Sequence, residues 1–332
     1  MSKKRKYKRN RNQKSYWAIF LLSLIVFAAL TAYYYKTDPK FRAEADETVA
    51  LVTEKAEEAI SETKKLIEEK KPAVQQKPAP EKTLVALPEN LEIPVCKGKD
   101  GKSDHQIRNF EHYSLCYRES YEQAEWSAYC LTEEELVKNA KRSDDFRADP
   151  EIATGSATPA DYKKSGYDRG HLSPAADFAF DQNAMSETFY MSNMSPQKGG
   201  LNRGIWKDLE AEVRLWAKNF GRVYVVSGPI LEKPAEEYQS IGENQVAVPE
   251  FYYKVILAPL YADENDRATP EDAENVIALG FIFPNEKCTG TLEDYAVTVD
   301  EVEARTKLDF FSLLEDKVEN EVEGKSQKGI LK

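Results

Sequence analysis

The sequence predicts an α+β domain standing behind a single transmembrane helix and a charged helical, Pro-containing stalk. Three observations predict it: an uncharged apolar run near the start, a Glu-, Lys- and Ala-rich segment ending in prolines, and short β-rich stretches beside an amphipathic helix beyond Leu91. A chain of 332 residues, 41% hydrophobic, can build one sizeable core and still have length for an anchor and a linker.

The first element is the apolar run. Ser15 to Tyr35 reads SYWAIFLLSLIVFAALTAYYY without a charge, and about 20 such residues in a helix span a hydrocarbon core of roughly 30 Å. Aromatic residues stand at both ends, Tyr16 and Trp17 before it and Tyr33, Tyr34 and Tyr35 after it, where rings sit at headgroup level. Lys3, Lys4, Arg5, Lys6, Lys8, Arg9, Arg11 and Lys14 precede it, so the positive-inside rule leaves residues 1–14 in the cytoplasm. The run is longer than a signal-peptide core and has no A-x-A cleavage site, and it lacks the amphipathic, Ser-rich character of a transit peptide. The expectation is an uncleaved anchor over 15–36 in a bacterial inner membrane, more in keeping with the sequence than a mitochondrial one, with the folded domain on the periplasmic or extracellular side.

Residues 37–88 form the expected stalk. AEADETVALVTEKAEEAISETKKLIEEKK has helical spacing at Val49, Val52, Ala56, Ile60 and Leu66, and KPAVQQKPAPEK follows as a semi-rigid spacer. Its composition is that of a solvated charged helix, and no chemistry is expected of it.

Charge is unevenly divided. Residues 1–36 carry nine Lys/Arg and no Asp/Glu, so with −11 overall the chain after Lys36 carries −20. An acidic body excludes binding of nucleic acid through overall charge, so a site for phosphate must be a local basic groove, helped by a metal ion. The four cysteines, Cys96, Cys116, Cys130 and Cys288, have no close metal-ligand spacing, which argues against zinc. They are compatible with two disulfides in any of three pairings, or with reduced, buried thiols.

Beyond Leu91, VYVVSGPIL, FYYKVILA and NVIALGFIF are short and rich in Val, Ile, Tyr and Phe, and predict strands. Ile205, Leu209, Val213, Trp216 and Phe220 recur at three- and four-residue steps, predicting an amphipathic helix from Asn202 to Phe220 that stops before Gly221.

Of three histidines, His171 alone has chemically informative neighbours, in YDRGHLSPAADF behind Asp168, Arg169 and Gly170. A lone histidine is ordinarily a packing or surface residue. Phosphodiester cleavage, however, needs a base to deprotonate water, positive charge at the phosphate and a Lewis acid. His171 and Arg169 answer the first two needs. MSNMSPQKGGLNRGIWKDLE then supplies Asn193, Asn202 and Glu210, the last two eight residues apart and so on one broad side of the predicted helix. A hard cation such as Mg²⁺ accepts amide and carboxylate oxygens and keeps several waters. Singly, Asn202 reads as a helix cap, Glu210 as a solvated helix residue and Asn193 as a turn former.

Together, YDRGHLSPAADF and MSNMSPQKGGLNRGIWKDLE resemble the DNA/RNA non-specific endonuclease family, a group of ββα-metal (His-Me finger) nucleases that includes endonuclease G. The resemblance runs from about Leu91 to about Leu314, including DFRADPEI and the closing DYAVTVDEVEARTKLDFFSLL. It implies a central antiparallel sheet flanked by helices over residues 89–318, followed by a polar tail over 319–332. It implies His171 as general base, Arg169 at the scissile phosphate, Asn193 organising the site, Asn202 as direct Mg²⁺ ligand and Glu210 holding the ion through water, with Mn²⁺ as a substitute metal. Asp168 is expected to accept structural hydrogen bonds, and Gly170 to permit a tight turn. An upstream arginine is expected too: Arg142 is assigned, with Arg147 left open as the alternative. One metal is expected, because few carboxylates lie near the motif.

The implied function is sugar-nonspecific endonuclease hydrolysis of DNA and RNA to 5′-phosphate ends, by a possible homodimer held to the membrane. A neutral imidazole base predicts activity that falls below about pH 6.5. The rival readings are an inactive, membrane-tethered nucleic-acid-binding module serving DNA uptake, and an envelope protein whose outer domain merely packs against a partner.

Overall fold

The computed structural model describes residues 35–40, 42–43, 46, 87–96, 104–259 and 276–325. The expected anchor, except its last two residues, and most of the expected stalk lie outside these residues. Among those described, no helix is long and apolar enough to cross a membrane. The chain divides into two compact units, 1–79 and 80–332, and the second holds the fold described below.

Strands β1 (His105–Asn109), β2 (Ser114–Arg118) and β3 (Gln123–Thr132) run antiparallel one after another. A long irregular stretch leads to β4 (Asp168–His171), helix α1 (Gln182–Glu187) and β5 (Met194–Gln197), which pairs antiparallel with β4 as a separate ribbon. Then come the short α2 (Gly199–Asn202), α3 (Ile205–Phe220), β6 (Arg222–Pro229), and a small hairpin of β7 (Ser240–Ile241) and β8 (Val246–Ala247). Strands β9 (Phe251–Pro259), β10 (Val276–Pro284) and β11 (Ala296–Val297) precede α4 (Val299–Thr306) and α5 (Asp316–Glu323). The main sheet has the order β1-β2-β3-β6-β9-β10-β11, every neighbour antiparallel.

Because strand side chains alternate between faces, each central strand feeds two cores. Tyr129, Val225, Tyr252 and Ile256 meet α3 through Leu209, Val213 and Trp216. Tyr224, Val226, Tyr253, Val255 and Leu257 meet Val302 of α4 and Val318 and Val322 of α5 on the other face. Burying a large aliphatic side chain contributes about 1.5–3 kcal/mol, so truncating Leu209, which is fully buried, costs roughly 2–5 kcal/mol. Helix α5 carries the fold past residue 318, into the segment expected as a polar tail.

The predicted helix over 202–220 is corrected in one respect. Gly204 interrupts it (φ −106°, ψ −124°), so Asn202 closes α2 while Glu210 belongs to α3. A Cβ at Gly204 would stand 2.5 Å from the Gly200 carbonyl oxygen, and this crowding is why the break falls at a glycine. The other end is as expected: Gly221 adopts φ +79°, which stops α3 after Phe220.

Of the cysteines, Cys96 and Cys116 form a disulfide with Cα atoms 5.6 Å apart, tying the segment before the sheet to β2. Cys130 and Cys288 are free thiols.

Candidate active site

The site is assembled from the β4–β5 ribbon and the helices that follow it. Along β4, alternation puts Arg169 and His171 on one side and Asp168 and Gly170 on the other. Gly170 sits in ordinary extended backbone, contrary to the expected tight turn. A Cβ there would come within 2.5 Å of the Gln197 side chain, so glycine is required by close approach of β5. Asp168 accepts hydrogen bonds from Asn202 Nδ2 (3.0 Å) and Arg203 NH1 (2.8 Å), linking β4 to the α2 turn.

His171 is packed edge-on against Phe189 (centroids 4.9 Å apart) and Phe146 (5.7 Å). Its Nε2 is buried and has no hydrogen-bond partner among the described residues. Burial, and then the charges of Arg142 and Arg169, push the imidazole down to about 3, so it is neutral throughout the physiological range.

Asn193 lies behind this histidine, fully buried, on the turn that leads into β5. Its amide oxygen accepts from the Ser173 backbone N–H (3.0 Å) and Ser127 Oγ (3.2 Å), while its nitrogen donates to the Ser173 and Thr188 carbonyls (2.9 Å each). The backbone carbonyl of Asn193 also accepts from the Leu172 N–H at 3.1 Å. Every polar group of the amide is thus spent inside the protein, which makes Asn193 a clamp on the chain after His171.

A cavity of about 620 Å³ opens beside β4, lined by Arg142, Lys163, Arg169 and Arg203 as cations, with Phe146, Tyr167, Asp168 and Asn202. Four basic side chains facing one carboxylate make the local basic groove that an acidic chain needs in order to receive phosphate. The structure separates the two candidate arginines. Arg142 lines the cavity, bonded at its Nε to Asp144 (2.8 Å). Arg147 is held by Asp145 and the Ser186 carbonyl, stacks 3.8 Å from the Tyr190 ring centroid, and does not line the cavity.

Glu210 stands on the sheet side of α3. Burial raises its pKa, opposed chiefly by Lys254 and then by Arg214 and Arg142. Lys254 projects from β9 with no exposed surface, its Nζ 2.7 Å from Ser227 Oγ and 4.6 Å from the Trp206 ring centroid. Ser227 Oγ donates to the Leu172 carbonyl (3.1 Å), which connects this network to the residue after His171. Buried Asp177 accepts from Tyr129 (2.6 Å) and Arg214 (2.6 Å). Sequence reasoning missed Lys254, Arg214, Asp177, Phe146 and Phe189. Lys254 had a signal, as the one charge in the otherwise apolar FYYKVILAP; the rest reach the site through contacts distant in sequence.

A family described as DNA/RNA non-specific endonuclease matches residues 95–317. Human mitochondrial endonuclease G is 34% identical over 216 residues, covering 62% of this chain and 69% of that protein. The mitochondrial nuclease of Saccharomyces cerevisiae is 35% identical over 220 residues (62% and 65%), and nuclease C1 of Cunninghamella echinulata 37% over 219 residues (62% and 82%). The chain spans 63% of the length of the zebrafish (Danio rerio) mitochondrial nuclease EXOG, at 34% identity. The fold is similar to a chain in the crystal structure of the EndoG/EndoGI complex, with a TM-score of 0.55 and 32% identity over 63% of this chain and 86% of that one. These findings correct the expected location. Relatives named as mitochondrial nucleases do not support a single-pass protein of a bacterial membrane.

Proposed function

The chain belongs to the DNA/RNA non-specific endonuclease family, and from that premise we propose that it is a Mg²⁺-dependent endonuclease hydrolysing DNA and RNA with little sequence preference. The observation that carries this reading is the buried, unpartnered Nε2 of His171, held neutral beside Arg142 and Arg169. A neutral imidazole with an uncommitted lone pair is equipped to take a proton from water. The two guanidinium groups stand where charge develops on the attacked phosphate. Asn193 and the Leu172–Ser227 link hold the histidine in place from behind.

The residues present fit a hard cation. Asn202 commits its amide nitrogen to Asp168, which leaves its carbonyl oxygen for a ligand at the cavity. Among the described residues no trio of His, Cys, Asp or Glu converges on the cavity, in keeping with one ion that keeps most of its waters. Asn202 would hold Mg²⁺, or Mn²⁺ in its place, directly and Glu210 would hold it through water; the ion would supply Lewis-acid stabilisation of a leaving 3′ oxygen, consistent with 5′-phosphate ends.

The test is plasmid nicking by the full chain with Mg²⁺, with EDTA, and after His171→Ala, together with gel-shift binding of the same DNA. Cutting that disappears under both treatments supports the reading. A folded chain that binds DNA without cutting it points to an inactive nucleic-acid-binding module, and cutting that survives His171→Ala rejects the assigned base.

A further inference from the structure

On the face of the sheet opposite α3, helices α4 and α5 bring together three carboxylates that the nuclease chemistry does not use. We propose that Asp300, Glu303 and Glu323 form a second divalent-cation site, built for calcium and separate from the catalytic cavity.

One carboxylate oxygen from each of the three lies within 4.8 Å of the other two. Calcium binds oxygen at 2.3–2.6 Å in flexible geometry, so two ligands across one ion stand up to roughly 5 Å apart, and the observed spacing admits a single ion. The independent observation is Glu323. This side chain is only 4% exposed, yet its Oε1 has no hydrogen-bond partner among the described residues. A buried carboxylate oxygen left unpartnered is strongly disfavoured unless it is protonated or meets a cation.

The sequence places these groups deliberately. Asp300 and Glu303 are one turn apart on α4 and share a face, as do Glu319 and Glu323 on α5. Val302, Val318 and Val322 are anchored in the core, which fixes both helices and denies the carboxylates an easy retreat. The side chains acting on Glu323 by charge are Glu303, Glu319, Asp300 and Asp309, all of one sign, so a cation is the complementary partner. Glu319 Oε1 is a second buried, unpartnered oxygen on α5. Gly324 leaves room beside Asp300: a Cβ there would already sit 3.3 Å from Asp300 Oδ2. With carboxylate oxygens as the ligands and no sulfur or imidazole, the site selects a hard cation.

The experiment is thermal unfolding and calorimetric titration of the full chain with calcium chloride against EGTA. It is done in an Asn202→Ala background, so that catalytic-site binding does not contribute. The expected result is one calcium per chain and a melting temperature raised by roughly 5–10 °C at about one hundred times the dissociation constant. Both effects disappear in Glu323→Gln and in Asp300→Asn. Each substitution removes one of several crowded like charges, so both variants fold without metal. No rise with calcium overturns the proposal, as does a rise of equal size in both variants, which would mean that calcium acts on the acidic surface at large.

Discussion

Phe146 meets the imidazole of His171 edge to face, with ring centroids 5.7 Å apart, and carries the Arg169 guanidinium 3.8 Å from its own centroid. One aromatic ring therefore packs against the proposed base and carries one of the two arginines whose charge acts on it. Phe146→Ala removes part of the packing that buries the imidazole, and the His171 pKa rises by about one unit or more from about 3 toward the ordinary 6.5. Titration of the ring by NMR in both proteins measures this. An unchanged value would assign the depression to the arginines rather than to the ring.

The same depression changes the expected response to acid. Sequence alone predicted loss of activity below about pH 6.5, whereas the folded imidazole stays neutral well beneath that. Its folded pKa lies below the unfolded one, so the unfolded chain binds the extra proton between pH 6.5 and about 3. This contribution to stability is complete above pH 6.5 and is lost as pH falls through that window, by up to roughly 4–5 kcal/mol at 1.36 kcal/mol per unit. Urea unfolding of the wild type and His171→Asn at pH 7, 5.5 and 4.5 checks it; equal pH slopes in the two proteins refute it.

Lys254 should matter to stability. Lys254→Met leaves Glu210 and Asp177 short of positive charge in a buried setting, at a cost of about 3–5 kcal/mol. Adding Glu210→Gln should recover about 1 kcal/mol or more, because the uncompensated charge is then gone. Denaturant melts of the two single variants and the double variant give the coupling; strict additivity would mean that the two groups do not sense each other.

The two upstream arginines should separate cleanly. Arg142→Ala removes positive charge from the cavity and should lower kcat/KM by about 10²-fold with stability nearly unchanged. Arg147→Ala loses the Asp145 and Ser186 contacts, and should cost about 1 kcal/mol of stability while leaving kcat/KM within about threefold. Plasmid-cleavage kinetics and melting curves on both variants decide it, and a reversal of the pattern would transfer the role to Arg147.

Reduction of Cys96–Cys116 reopens a loop closed over a sequence separation of 20, which the chain-entropy relation values at about 3 kcal/mol. The melting temperature should fall on adding a reductant, and the Cys96→Ser/Cys116→Ser variant should show no such fall. A chain indifferent to reductant would exclude the bridge in solution.

Strands β6, β9 and β10 were legible because each is short and rich in Val, Ile, Tyr and Phe, and α3 because its apolar residues keep a helical step. The four-residue β4 was not, since Asp-Arg-Gly-His has no alternation to read and becomes a strand only by pairing with β5. Asn202 and Glu210 were read onto one helix, and that shared helix was not real: the break at Gly204 comes from backbone crowding that no propensity records. The choice between Arg142 and Arg147 depends on which one faces the cavity, and the cysteine pairing on which Cα atoms come together. Lys254 could have been suspected as a lone charge among apolar neighbours, but its partners lie on β6 and α3.

The alternation of β9 has a further consequence for assembly. Tyr252, Lys254 and Ile256 face α3, while Tyr253, Val255 and Leu257 face α4 and α5. A slip of one residue against β6 would exchange the two sets and drive an ammonium group into the layer now filled by Tyr253, Val255 and Leu257, at a penalty of several kcal/mol. The lysine therefore penalises a misthreaded sheet and fixes the register of β9 against its neighbours.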